Sequence, residues 1–141
     1  MTATAHRRWA GDLERRIVAL MSLEAASLAV MSSLHLTGTL AGGSKPFEPS
    51  DAGIAEALIC LALIAGTVAF QRRWPNGGGI ALGTVAFAIL GFLVGLNFTV
   101  QGGDAIDIAY HASVLPLLVL TLAALLRRLS ARQAPPAESG T

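Results

Sequence analysis

Charge is scarce in this sequence. Asp, Glu, Lys and Arg make up 13% of its 141 residues, against the ~25% usual for a soluble domain, while 53% are hydrophobic and the mean hydropathy is +0.60. That balance excludes an ordinary water-soluble fold and reads as one membrane domain. Cysteine is nearly absent: Cys60 stands alone, so no intrachain disulfide can form, and within an apolar segment the thiol has a packing role. Also missing are a phosphate-binding glycine loop, a nucleophile elbow, a Cys-x-x-Cys pair, a zincin pattern and any internal repeat. The basic residues form no patch interleaved with aromatics and the net charge is +1, so no nucleic-acid partner is expected.

What is present is a set of four apolar segments, at 17–41, 53–71, 80–100 and 108–126. Each meets the length of about 20 residues needed to cross a ~30 Å hydrocarbon core as a helix. The first follows Arg15 and Arg16 as a secretory signal would, but it exceeds the ~7–15 apolar residues of a signal core and contains Glu24 and His35, so it reads as a retained span. Nine of the ten basic residues mark one side: Arg7, Arg8, Arg15 and Arg16 before the first span, Arg72 and Arg73 between the second and third, Arg127, Arg128 and Arg132 after the fourth. Lys45 is the exception. The positive-inside bias then places both termini and the middle loop in the cytoplasm. The expected fold is an all-α integral membrane four-helix bundle, up-down-up-down, N-in and C-in, in the cell membrane. Residues 1–16 form a cytoplasmic segment, 17–130 the bundle and 131–141, rich in Pro, Ala and Ser, a disordered cytoplasmic tail.

The connections suit a compact bundle. In the outer loop 42–52, Pro46 and Pro49 stop helix continuation, and Ser50 or Asp51 can cap the second helix. The inner turn runs from Arg72 through Pro75 to Gly79, with Trp74, like Trp9, suited to the interface. The outer turn Gly102-Gly103-Asp104 is short enough to make the third and fourth helices antiparallel neighbours. Gly79 with Gly83 and Gly91 with Gly95 are small-xxx-small pairs for close packing. Pro116 should kink the fourth helix just below His111 and open space there.

The functional signal lies in the polar residues. At ~1.5 Å per residue, His35, Glu56, Asn97 and His111 sit about 5–9 Å inside the outer ends of four different helices. Ionisable groups in spans cost ~2.5–3.5 kcal/mol near the bilayer centre and normally face the bundle interior with partners. Asn97 and Gln101 form one i, i+4 stripe, and Asp104, Asp107 and His111 another. Asp104 and Asp107 also suit the positive end of a helix dipole. Two imidazoles with Glu56 or Asp107 offer N and O ligands for a zinc, iron or manganese ion, and His35 and His111 at one height are also what haem ligation requires. The expected metal ligands are His35, Glu56, Asp107 and His111; Asn97, Gln101, Tyr110 and Glu24 are expected to contact or orient a ligand.

Glu24 is separate, about 10 Å from the cytoplasmic end of its helix with no basic residue in any span. It is either a neutral hydrogen-bond donor or a proton-exchanging site. Because 24 and 35 lie within about 20° of one helical face, a polar stripe can line the interior. The expected function is a polar intramembrane pocket near the extracytoplasmic face that binds a metal ion, cofactor or small polar ligand. Two rivals are an accessory subunit of a larger membrane complex or homo-oligomer, whose polar residues only lock helices, and a small proton-coupled transporter.

Overall fold

The computed structural model describes residues 3–40, 45 and 47–133. They form four helices, α1 (Ala3–Leu36), α2 (Pro49–Gln71), α3 (Gly77–Gly102) and α4 (Ala105–Gln133), with no strand among them. Each helix contains a stretch long and apolar enough to cross a bilayer, with mean hydropathy between 1.8 and 2.3. The chain is thus a small polytopic membrane protein built as an all-α bundle. Each helix packs on its sequence neighbours and α4 closes the ring against α1, as short antiparallel connections require.

The helices overrun the apolar segments, because backbone hydrogen bonding continues into good helix formers outside the hydrocarbon. α1 already begins at Ala3, so most of the expected separate segment 1–16 is helical, and residues 131–133 belong to α4. The rest of the expected tail, with residues 42–44 and 46 of the outer loop, lies outside the described residues. α1 stops at Leu36 rather than at 41, where Gly38 adopts φ +72°, a conformation open to glycine at no steric cost. Nor do Ser50 and Asp51 cap α2. Glu48 is extended at φ −125°, ψ 112° and Pro49 opens the first turn, since a residue before proline avoids the α region and proline fits the first helical position.

The other two turns are defined by hydrogen bonds. At the end of α2, Arg73 N–H donates to the Phe70 carbonyl and Trp74 N–H to that of Ala69, at 3.2 and 3.1 Å. Arg73 at φ 54° makes this a Schellman closure on a non-glycine residue. At the start of α4, the Asp104 Oδ1 accepts from the backbone N–H groups of Ile106 and Asp107 at 2.8 and 2.9 Å. This N-cap fixes where α4 begins and hence where Asp107 and His111 fall.

Inside, each helix contributes one stripe. On α4 it is Asp107, His111, Val114, Leu118, Thr121 and Leu125, and on α3 it is Ala81, Val85, Ala88, Phe92 and Thr99. Alternating spacings of three and four residues keep a stripe on the axis side. The outer surface is apolar, with Leu23, Leu61, Leu90, Val94, Ile106 and Leu120 exposed, a belt that water would penalise and acyl chains solvate. Gly91 and Gly95 approach neighbouring helices, whereas a Cβ on Gly79 or Gly83 would meet nothing within 4 Å. Only the second glycine pair therefore serves packing within the chain. At one end, Glu14 pairs with Arg128 and, at 3.5 Å, with Arg73. The half-exposed Trp9 and Trp74 lie on the same side.

Candidate functional site

At the opposite end the four stripes turn polar. His35 comes from the last turn of α1, Glu56 from the second turn of α2, Thr99 from the end of α3, and Asp107 and His111 from the start of α4. All five are buried; His35, Glu56, Asp107 and His111 are 3, 5, 1 and 7% exposed. Sequence-remote residues meet here because α1 and α2 are clamped together just beside them. Ser32 Oγ donates to the Gly53 carbonyl at 2.7 Å, and a Cβ on Gly53 would lie 3.1 Å from the His35 Cβ and 2.8 Å from Leu36 Cγ. Ser32 stands one turn before His35 and Gly53 one turn before Glu56, so the clamp brings that pair face to face.

The proton arrangement follows from the partners. His35 Nδ1 is 2.9 Å from Glu56 Oε2, so this nitrogen donates to the carboxylate. His111 Nδ1 is 3.0 Å from the backbone carbonyl of Asp107 and 3.2 Å from its Oδ1, and a carbonyl only accepts. Asp107 Oδ2 also accepts from Thr99 Oγ1 at 3.1 Å. What remains is an unfinished contact: His35 Nε2 faces Asp107 Oδ2 at 3.8 Å. Among the described residues His35 Nε2 and Glu56 Oε1 lack a hydrogen-bond partner, and Asp107 Oδ1 meets only His111 Nδ1. His35, Glu56 and Asp107 each offer a ligand atom within 4.8 Å of the other two. Phe47 covers the outer side, its ring 5.8 Å from that of His35.

No known protein family, curated protein or solved structure matches this chain.

Not every expected site residue joins the cluster. His111 stands beside Asp107 and outside the three-ligand group, its Nδ1 engaged and its Nε2 turned toward Gly95, where a Cβ would lie 2.8 Å away. Asn97 and Gln101 are exposed, and the Gln101 amide bonds only the Asn97 carbonyl at 2.7 Å. Their polarity pointed to the site, but at 100° per residue both lie about 160° from Thr99, and Thr99 is the α3 residue that reaches Asp107. The inward phase of α3 carried the signal for Thr99. Tyr110 bonds Ser27 at 3.2 Å and packs on Phe92 and His111.

Glu24 is buried, with Thr121 Oγ1 donating to its Oε1 at 2.7 Å and Oε2 without a partner among the described residues. Some 16 Å along α1 from His35, it belongs to a different layer. A haem between His35 and His111 is not accommodated, since the two imidazoles face different oxygens of one carboxylate and a porphyrin would need the volume that Asp107 fills. Pro116 is exposed within α4 and does not line the open space beside the cluster, which lies between α2 and α3.

Proposed function

We propose that this chain is a membrane-embedded metal-binding protein in which His35 Nε2 and Asp107 ligate one divalent ion while Glu56 holds His35 from the other side of its ring. With N-in, C-in topology, that ion sits just beneath the extracytoplasmic surface. The observation that carries the reading is the pair of acceptors, His35 Nε2 and Asp107 Oδ2, facing each other at 3.8 Å inside the bundle. With Nδ1 donating to Glu56, Nε2 keeps its lone pair, and a cation between the two lone pairs turns their repulsion into attraction. Glu56 then sets the tautomer and orientation of a ligating histidine, the usual carboxylate–histidine–metal arrangement. Two buried carboxylates with no Lys or Arg among their described partners carry a charge of −2 when both are ionised, which a divalent ion neutralises. One imidazole nitrogen with carboxylate oxygens suits manganese, iron(II) or zinc at ~2.0–2.2 Å.

The competing account is self-neutralisation, with the cluster as a lock between helices: a doubly protonated His35 bridges the two carboxylates and no ion is needed. The accessory-subunit role then follows. Metal analysis separates the two. Protein purified in detergent, stripped with chelator and titrated with manganese or zinc should take up about one equivalent per chain, and His35→Ala should take up none. Uptake unchanged in His35→Ala would exclude the site.

A further inference from the structure

A groove of about 550 Å³ runs between α2 and α3 beside the cluster. Its size lies within the ~300–1,000 Å³ typical of small-ligand sites. The α3 wall includes Phe87, Leu90, Val94 and Phe98, side chains that form part of the exposed apolar belt. The groove is thus reached sideways from the acyl chains. We propose that it binds a lipophilic cation, an apolar or aromatic body with a positively charged head.

Three features select that chemistry. Among the described residues, every charged one lining the groove is acidic, namely Glu48, Asp51 and Glu56, and none is Lys or Arg. Glu48, the residue that precedes α2, and Asp51 in its first turn stand at the exposed mouth, and Glu56 stands at the buried floor. At that floor the Glu56 side chain is 7% exposed and its Oε1 has no partner. His111 also lines the groove, and with Nδ1 donating to its own helix its Nε2 presents a lone pair. An anionic or purely accepting head would meet only acceptors; a cationic head meets complementary charge. The phenyl rings of Phe47, Phe87 and Phe98 line the same groove, and aromatic faces attract cations. This inference stands apart from the metal reading, although both use Glu56, so bound metal should compete with the cation.

The test uses tetraphenylphosphonium and, as a control of the same shape and opposite charge, tetraphenylborate. Both are dialysed against chelator-stripped full-length protein in detergent, with protein-free micelles as background. Saturable binding of about one phosphonium per chain is expected, with no borate binding above background. Glu56→Gln should weaken the phosphonium affinity about thirtyfold, the loss associated with removing one partner of a buried charge pair. Ala55→Trp, at an exposed groove position, should abolish phosphonium binding while metal uptake persists, because it fills the groove without touching His35 or Asp107. Equal binding of the borate, unsaturable uptake, or undiminished phosphonium affinity in Ala55→Trp would each overturn the proposal. Should Glu56→Gln fail to fold, Ala55→Trp still decides. Loss of metal uptake alone would overturn only the metal site.

Discussion

Asp107→Asn is expected to lower metal affinity at least about a hundredfold, the upper end of what changes in the outer sphere of a metal do. The metal-free protein should keep its stability to within about 1 kcal/mol. The two halves of this result follow from one contact. In the metal-bound state Asp107 supplies an anionic oxygen, and an amide cannot replace that charge. In the metal-free state two acceptors face each other at 3.8 Å, and asparagine can relieve the conflict. Its amide NH2, in the place of Oδ2, points donors at His35 Nε2 and at the Thr99 hydroxyl, which can turn to accept, while its oxygen, in the place of Oδ1, still faces His111 Nδ1. Added metal should therefore stabilise the wild type by about 2.7 kcal/mol at a hundred times its Kd and, at the same concentration, Asp107→Asn by no more than about 0.4 kcal/mol. A self-neutralised cluster makes the opposite prediction. There Asp107→Asn strips a buried imidazolium of one partner, and breaking such a pair costs about 3–5 kcal/mol. Thermal unfolding in detergent, with and without manganese, gives both readings from one pair of proteins.

Gly53→Leu tests how the site is held. Even a bare Cβ at this position would stand 2.8 Å from Leu36 Cγ and 3.1 Å from the His35 Cβ. The Leu36 side chain can swing away, but a Cβ moves only with its backbone. A leucine must therefore push α1 from α2, at a cost of about 1–3 kcal/mol for overpacking. The same movement lengthens the Ser32 bond to the Gly53 carbonyl and parts His35 from Glu56. Metal affinity should fall about 10- to 100-fold although no ligand is replaced, because the orientation of His35 depends on Glu56. A leucine at Gly83, where added atoms meet open space, should leave both stability and affinity unchanged. Equal effects at the two positions would show that the α1–α2 clamp does not set the geometry.

Much of the architecture was legible because it depends on quantities a sequence carries directly. Four apolar stretches of bilayer length and short connections leave little alternative to antiparallel neighbours. The joint burial of Glu24 and His35 follows from their separation of 11 residues, and the shared depth of His35, Glu56 and His111 follows from the helical rise. Helix ends were harder to read. The start of α2 depended on the residue before Pro49, and the end of α1 on a positive φ at Gly38, neither of which an apolar window registers.

Within the cluster, polarity outweighed phase. Asn97 and Gln101 drew notice as amides in a span, yet the buried stripe through Val85, Ala88 and Phe92 continues to Thr99 and leaves both of them outside. Gly53 and Ser32 bring His35 to Glu56, but a glycine and a serine are ordinary in packed membrane helices. Their role appears only when the helices are brought together. The position of His111 depended on how α4 starts: with Asp104 as N-cap, its Nδ1 falls against the Asp107 carbonyl, and the ring supports the carboxylate from outside the three-ligand group.

The most direct measurement is pulsed electron paramagnetic resonance of protein loaded with one equivalent of manganese, read for coupling to directly bound nitrogen. Coupling to a single imidazole nitrogen is expected in the wild type. It should persist in His111→Ala and disappear in His35→Ala. Nitrogen coupling that survives in His35→Ala, or that vanishes in His111→Ala alone, would contradict a metal held by His35 and Asp107 with Glu56 orienting the histidine.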